Sequence, residues 1–334
     1  MITRRRAALM LGAVAFAPIA ASAQQQGRVW RIGYFGPPSA VAPGLLDAFR
    51  DGLRERGYIE GRNLVIEYRW ANNQMELLQP FAEELVRLNV DAIVTATTPA
   101  IRAAMRATST IPIVMAATAD PVGTGLVASL GRPGGNVTGM TLLSTDLARK
   151  RLQLVREIVP GAARIAVLTL RDPDNQLDPA RLAGNLMIAE SQIAAQQMGV
   201  RVIGLAVATA DDLSDAFAQF GRERAQALIV QVNPLTLQQR PKVVELAARQ
   251  RLPALYEVRS FVDEGGLVSY GPDLTEMYRR AAAYVDRILK GAKAGELAIE
   301  QPGKFEMVIN LKTAKALGLA IPQSLLLRAD EVIQ

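Results

Sequence analysis

Two threonines, Thr97 and Thr98, stand directly before a predicted helix that carries Pro99 in its first turn. The free backbone N–H groups and the dipole at such a helix end attract a carboxylate or a phosphate. Threonine is also a common helix N-cap, so plain capping is the alternative interpretation. The two threonines are therefore a candidate anion-binding group. Their spacing alone does not distinguish anion binding from helix capping.

A second candidate lies where the apolar run 113–116 gives way to Thr118 and Asp120. Such a run, bounded by prolines, is typical of a buried strand that opens into a polar loop. A carboxylate at the end of a central strand can pair with the ammonium group of a small molecule. An Asx turn before Pro121 is the alternative.

The loop 172–175, with the sequence Asp-Pro-Asp-Asn, holds the matching position in the second half of the chain. Asn175 is likewise open to two interpretations, a ligand contact or a local turn. A calcium loop of the EF-hand type is excluded, because the required glycine and final glutamate are missing. The glycines after the first strand do not form the dinucleotide-binding pattern, and the chain contains no P-loop lysine, so nucleotide binding is unsupported.

The chain contains no cysteine and no histidine. Disulfides, thiolate nucleophiles, Cys/His zinc sites and histidine acid–base catalysis are therefore excluded. We expect no catalytic residue, no metal site and no cofactor. An enzyme would have to work with carboxylates or lysine alone.

Half of the formal net charge of +6 comes from the N-terminus, where residues 4–6 are arginines. Beyond residue 23 no basic cluster follows, so we expect no nucleic-acid partner. Residues 4–6, the apolar stretch 7–20 and Ala-Ser-Ala at 21–23 predict a signal peptide that is cleaved after Ala23. An uncleaved anchor is the alternative, and the export route, Sec or twin-arginine, stays open. Without a cysteine at the cleavage point, the exported protein is not a lipoprotein there.

Strand and helix patterns alternate along the rest of the chain. The first hundred or so residues after the signal peptide read βαβαβαβ, and the alternation resumes after Met140. Helical crossovers imply parallel sheets covered on both faces, with ligands at the carboxyl ends of the strands. With 334 residues the chain is long enough for two such domains. The fold class is therefore α/β, with doubly wound parallel sheets.

Seven segments in combination resemble the solute-binding proteins of ABC transporters, within the type I periplasmic binding group that includes tryptophan-binding lipoproteins. They are RIGYF at 31–35, FRDGLRERGY at 49–58, IPIV at 111–114, DPVG at 120–123, RPGGNVTG at 132–139, GGLVSYG at 265–271 and KFEMVINLKTAKALG at 304–318. The resemblance covers nearly all of the mature chain.

The resemblance implies two Rossmann-like lobes joined by three crossings, with a solute trapped between them by hinge closure. The lobes would be residues 28–138 plus 272–301 and residues 139–271 plus 302–334. The predicted hinge residues are Asn136, Thr138, Gly139, Gly271, Pro272 and Pro302.

The resemblance also implies a site between the lobes. Its predicted residues are Thr97, Thr98, Thr118 and Asp120 on one side, and Asn175, Asn233 and Tyr256 on the other. We expect the threonines at the carboxylate of an amino acid or similar small carboxylate, and Asp120 at its ammonium group. The family's Asn-Pro-x-Asn loop reads Asp-Pro-Asp-Asn here, which leaves the polar end of the ligand open.

The function implied is that of an exported periplasmic protein that captures a small molecule and presents it to a membrane ABC permease. We expect a monomer. Two alternatives stay open: a carboxylate-only exported enzyme on the same fold, and a ligand-sensing partner of a membrane receptor. A LacI-like regulator is disfavoured, because a signal segment stands where a helix-turn-helix would be.

Overall fold

The computed structural model describes residues 28–36, 43–72, 74–171 and 183–334. The predicted signal peptide and Asn175 lie outside these ranges. The described residues form two α/β lobes, each built on its own sheet.

The first lobe contains a five-stranded parallel sheet in the order β2-β1-β3-β4-β5. Its strands are β1 Trp30–Gly36, β2 Leu64–Trp70, β3 Ala92–Thr95, β4 Ile113–Thr118 and β5 Val137–Thr141. Its helices are α1 Pro43–Arg54, α2 Leu78–Arg87 and α3 Thr98–Ala107. Strands β3, β4 and β5 are buried along their whole length, as expected for a parallel sheet with helices on both faces.

The second lobe contains a seven-stranded sheet in the order β12-β11-β10-β9-β8-β6-β7. Its strands are β6 Arg164–Leu170, β7 Arg201–Val207, β8 Ala227–Val230, β9 Ala254–Tyr256, β10 Val268–Pro272, β11 Phe305–Asn310 and β12 Glu331–Ile333. The long helices α4 Ala148–Ile158, α5 Ala183–Gln197, α6 Asp212–Arg222 and α8 Arg240–Arg249 cover it, together with the short α7 Pro234–Gln238 and α9 Ser260–Asp263. Among its described pairings, β11 runs antiparallel to β10.

Between β10 and β11 the chain returns to the first lobe as helix α10, Leu274–Leu289. This helix packs against α1 and buries Met277, Tyr278 and Tyr284 in the core of the first lobe. The following segment runs beside β5, where Glu300 N–H donates to the Gly139 carbonyl (2.9 Å). The chain then re-enters the second sheet from the other lobe, which accounts for the reversed direction of β11.

The structure differs from the sequence patterns in the C-terminal half. Residues 237–251 have the pattern of one helix in the sequence, but the chain forms α7 and α8 there, because it turns at Gln239 before Pro241, whose nitrogen has no N–H. The C-terminal tail continues past α11 Leu311–Leu317 into a short helix, α12 Gln323–Leu326, and strand β12. Strand β5 runs on to Thr141, because its pairing with β4 continues there. The lobe boundaries given above stay a prediction.

Candidate ligand-binding cleft

A cleft of about 780 Å³, part of it open to solvent, lies where the carboxyl ends of the two sheets face each other. This is the position at which open α/β sheets bind ligands. Its first-lobe wall includes Leu45, Thr97, Thr98, Leu142, Leu274 and Tyr278. Its second-lobe wall includes Leu170, Gln231, Val232, Asn233, Pro234 and Leu237.

Most of the cleft wall is aliphatic. Among the described residues that line it, none carries a charged side chain, and the polar groups are threonines, amides and the phenol of Tyr278. Apolar walls with a few placed polar groups are typical of sites for small organic molecules. The cleft is therefore suited to a ligand with an apolar body and a small polar end.

Thr97 and Thr98 lie in the cleft wall where helix α3 begins. Thr97 is the N-cap residue, but its side chain makes no capping hydrogen bond within the described structure. Its φ of 75° with ψ of 142° is a conformation that β-branched residues rarely adopt. Its N–H donates to the Ala117 carbonyl (3.2 Å), which ties the start of α3 to the end of β4. The backbone of β4 thus fixes where this helix end points.

Thr118 and Asp120 lie behind this wall. The hydroxyls of Thr98 and Thr118 are 3.5 Å apart, and Thr118 is buried at the end of β4. The Asp120 carboxylate accepts from the Gly123 N–H (2.8 Å) and from the Thr145 hydroxyl (3.2 Å). Neither residue is among those that line the cleft. The bond from the Gly123 N–H is the local turn contact that an Asx turn at Asp120 requires. A contact between Asp120 and a ligand stays a prediction.

On the second lobe, Asn233 lies in the wall and also caps α7. Its Oδ1 accepts from the Thr236 N–H (2.9 Å), and its Nδ2 donates to the Gln231 carbonyl (3.2 Å). Tyr256 is buried inside the lobe, where it stacks on Phe261 at 4.8 Å, and burial raises the pKa of its phenol. Tyr256 does not line the cleft. Direct ligand contacts of Asn233 and Tyr256 stay predictions.

The predicted hinge residues of the first crossing are held by side-chain hydrogen bonds and by close strand packing. The Asn136 side-chain amide donates to the Ile111 carbonyl (2.8 Å), and the Thr138 hydroxyl donates to the Leu297 carbonyl (2.7 Å). Gly139 has a φ of 130°, and a Cβ there would lie 2.2 Å from the Met115 carbonyl oxygen. The structure thus requires glycine at this position because two strands approach closely.

At the other two crossings, Gly271 and Pro272 end β10, and Pro302 lies between the Glu300 bridge and β11. A Cβ on Gly271 would lie 1.8 Å from the Glu257 carbonyl oxygen. The hinge role of all these residues stays a prediction.

Sequence reasoning missed the contribution of α10 to the cleft. Leu274 and Tyr278 lie in its wall. Burial raises the pKa of Tyr278 to about 12, so the phenol is neutral. The amphipathic pattern of 274–290 predicts a helix on the first lobe, but it does not indicate which side chains reach the site.

The described ranges contain neither a carboxylate metal site nor a membrane-spanning helix. They contain no group of three or more aspartates or glutamates arranged to hold a metal ion. Across the same ranges, every helix is too short or too polar to span a membrane.

A cleft between two parallel-sheet α/β lobes, at the carboxyl ends of their strands and with three chain crossings, defines a type I periplasmic binding fold. Residues 43–333 match the family described as ABC transporter substrate binding protein, so the chain belongs to this family. The family and the fold class predicted from the sequence are thereby confirmed. Membership assigns the chain to proteins that bind small molecules in ABC transport systems.

Individual relatives are consistent with this membership. A tyrosine-binding protein from Clostridioides difficile (strain R20291) is 29% identical over 272 residues, which is 81% of this chain and 75% of that protein. A conserved domain protein from Vibrio cholerae superposes with a TM-score of 0.83 at 28% identity, covering 92% of this chain and 100% of that one. The ABC domain in complex with L-Trp from Streptococcus pneumoniae gives a TM-score of 0.82 at 26% identity, covering 91% and 100%.

Proposed function

We propose that this protein binds an amino acid with a large apolar, preferably aromatic, side chain in the cleft and delivers it to a membrane ABC permease. The observation that carries the proposal is the uncharged, largely aliphatic cleft wall beside the start of α3. One relative bears the name of a tyrosine-binding protein, and a solved neighbour contains L-Trp. Both support an aromatic ligand for this chain.

The ligand carboxylate binds at the start of α3. The first N–H groups of a helix have no acceptor within the helix, and the dipole favours a negative charge there. The Thr97 and Thr98 side chains lie in the cleft wall at this helix end. We assign the ammonium group to Asp120 on the sequence prediction alone.

The ligand side chain lies against Leu45, Leu142, Leu274 and Tyr278 on one lobe and Leu237 on the other. An aromatic side chain buries about 150–250 Å². At about 25 cal/mol per Å² this contributes roughly 4–6 kcal/mol before the entropic costs of binding. A ligand that contacts both lobes favours the closed arrangement, because closure adds the contacts with the second lobe.

The cellular context that we propose follows the sequence prediction. The signal peptide is removed after Ala23, and the mature protein works as a periplasmic monomer. Its lobes close about the three crossings near residues 136–140, 270–273 and 301–304. The permease then receives the ligand from the closed form.

The test is isothermal titration of the mature protein with L-tyrosine, L-tryptophan, L-phenylalanine, L-leucine and their D-enantiomers. We expect the aromatic L-amino acids to bind at micromolar Kd or tighter, and the D-enantiomers to bind far more weakly. Mass spectrometry of the ligand recovered after titration shows whether the protein has converted it chemically. The proposal is wrong if no apolar amino acid binds, or if the recovered ligand has been converted into a product.

A further inference from the structure

A fully buried ion pair joins helix α4 to the end of strand β9. The Nη1 atom of Arg151 lies 2.6 Å from Oε1 of Glu257, and the two side chains are 0% and 1% exposed. Both charges have lost their hydration, and an ion pair in such surroundings often contributes less stability than an apolar pair of the same size. Its position therefore needs an explanation other than stability.

The pair also holds three segments of backbone. Oε2 of Glu257 accepts from the Val232 N–H (2.9 Å) and from the Ser144 hydroxyl (3.3 Å). Arg151 donates through Nη1 to the Ser144 carbonyl (2.8 Å) and through Nε to the Tyr270 carbonyl (3.3 Å). Val232 lines the cleft, Ser144 follows β5 on the way to the second lobe, and Tyr270 lies just before the chain returns to the first lobe.

Ser144, which is bonded to the pair, also contacts the first-lobe side of the cleft. The Ser144 N–H donates to the carbonyl of Ala119, which lines the cleft (3.2 Å). The Glu257 carbonyl oxygen is the atom that leaves no room for a side chain on Gly271. One buried pair is thus in contact with the crossing at Tyr270, with the segment just after the first crossing at Ser144, and with one cleft wall.

The hydrogen bonding of the pair is incomplete. Within the described structure, Nη2 of Arg151 is buried without a hydrogen-bond partner, and Oε1 of Glu257 has no aligned donor despite its short distance to Nη1. Burial raises the pKa of Glu257 and lowers that of Arg151. Buried polar atoms left without partners in a native protein often accompany a functional requirement.

We propose that Arg151 and Glu257 are positioning residues that couple lobe closure to ligand binding. They fix Val232 in the cleft wall relative to Tyr270, which lies in the second crossing, and to Ser144, which follows the first crossing. Because closure pivots on these crossings, the pair sets the angle at which the two walls meet the ligand. This inference rests on the proposed function, in which the ligand binds between the lobes.

The test replaces the pair by apolar side chains in the double variant Arg151→Met/Glu257→Leu. This change removes both buried charges together, so no unpaired charge is left in the core, whereas the bonds to Val232, Ser144 and Tyr270 are lost. The matched control is Arg201→Met/Glu223→Leu, which removes an exposed ion pair of the same lobe.

Two readouts separate positioning from a structural role. The chain has no cysteine, so Glu83→Cys on α2 and Ala218→Cys on α6, both exposed, allow spin labels to report the distance between the lobes. For the pair variant we expect a broader distance distribution without ligand and a Kd for L-tryptophan or L-tyrosine at least tenfold weaker. The control should match the unmodified protein in both.

Ser144→Ala is the second variant, because it removes one hydroxyl bond to Glu257 and leaves the ion pair intact. We expect about a threefold weaker Kd from it, with unchanged melting temperature. Wild-type distances together with a Kd within twofold of wild type in both variants would overturn the inference. If the unmodified protein binds no amino acid of the panel, the proposed function fails, and the ligand-free distance distribution alone decides the inference.

Discussion

Replacing Thr97 by glycine should make the protein more stable and a poorer binder. Thr97 has a φ of 75° at the N-cap of α3, where its side chain makes no capping bond within the described structure. A non-glycine residue in such a region costs about 1–3 kcal/mol. Glycine removes this strain, but its greater freedom in the unfolded chain costs roughly 0.5–1 kcal/mol. The net expectation is a gain of about 0–2.5 kcal/mol in the free energy of unfolding.

Thr97→Ala is the matched comparison, because alanine loses the hydroxyl but keeps the strained backbone. The assay is urea unfolding of both variants and of the unmodified protein, followed by titration with the tightest-binding amino acid. We expect Thr97→Gly to unfold at higher urea than Thr97→Ala, and both variants to bind more weakly than the unmodified protein. A glycine variant that is less stable than the alanine variant would refute the strain argument.

Three further predictions follow from the same contacts. Gly271→Ala should lower the free energy of unfolding by about 3 kcal/mol or more, because its Cβ would lie 1.8 Å from the Glu257 carbonyl oxygen. The control Gly131→Ala places its Cβ in open space and should be near neutral. Equal urea midpoints for the two variants would contradict this. Backbone N–H groups lower the pKa of Asp212, so its stabilisation is complete above about pH 4 and is lost as the pH falls further. Asp212→Asn should therefore lower stability at pH 7 but hardly at pH 2, and equal losses at both values would contradict the assignment. Tyr278→Leu should weaken binding of aromatic amino acids about tenfold more than binding of leucine, because the ring in the cleft wall is lost; equal losses in parallel titrations would remove Tyr278 from the specificity surface.

The α/β fold was predictable because its signals are local. Apolar runs such as 92–95 and 113–118 are buried on both faces of a parallel sheet, and the helices between them keep their own periodicity. The break between α7 and α8 and the short elements α12 and β12 were missed. Elements of so few residues are too short to show a helical or strand periodicity of hydrophobic residues in the sequence.

The site was less predictable, because side-chain direction depends on tertiary packing. The sequence places Thr97 at the start of a helix, but its φ follows from the bond of its N–H to the end of β4. Asp120 stands at a strand end, yet Gly123 and Thr145 occupy its carboxylate. Tyr278 reaches the cleft because α10 crosses back to the first lobe, a long-range contact that no local pattern encodes.

The most direct measurement is a crystal structure of the mature protein saturated with its tightest-binding aromatic amino acid. The account predicts the ligand in the cleft between the lobes, with its carboxylate about 3 Å from the first N–H groups of α3. Its side chain should lie against Tyr278 and Leu142 on one lobe and Leu237 on the other. A ligand bound outside this cleft, or with its carboxylate turned away from α3, would contradict the account.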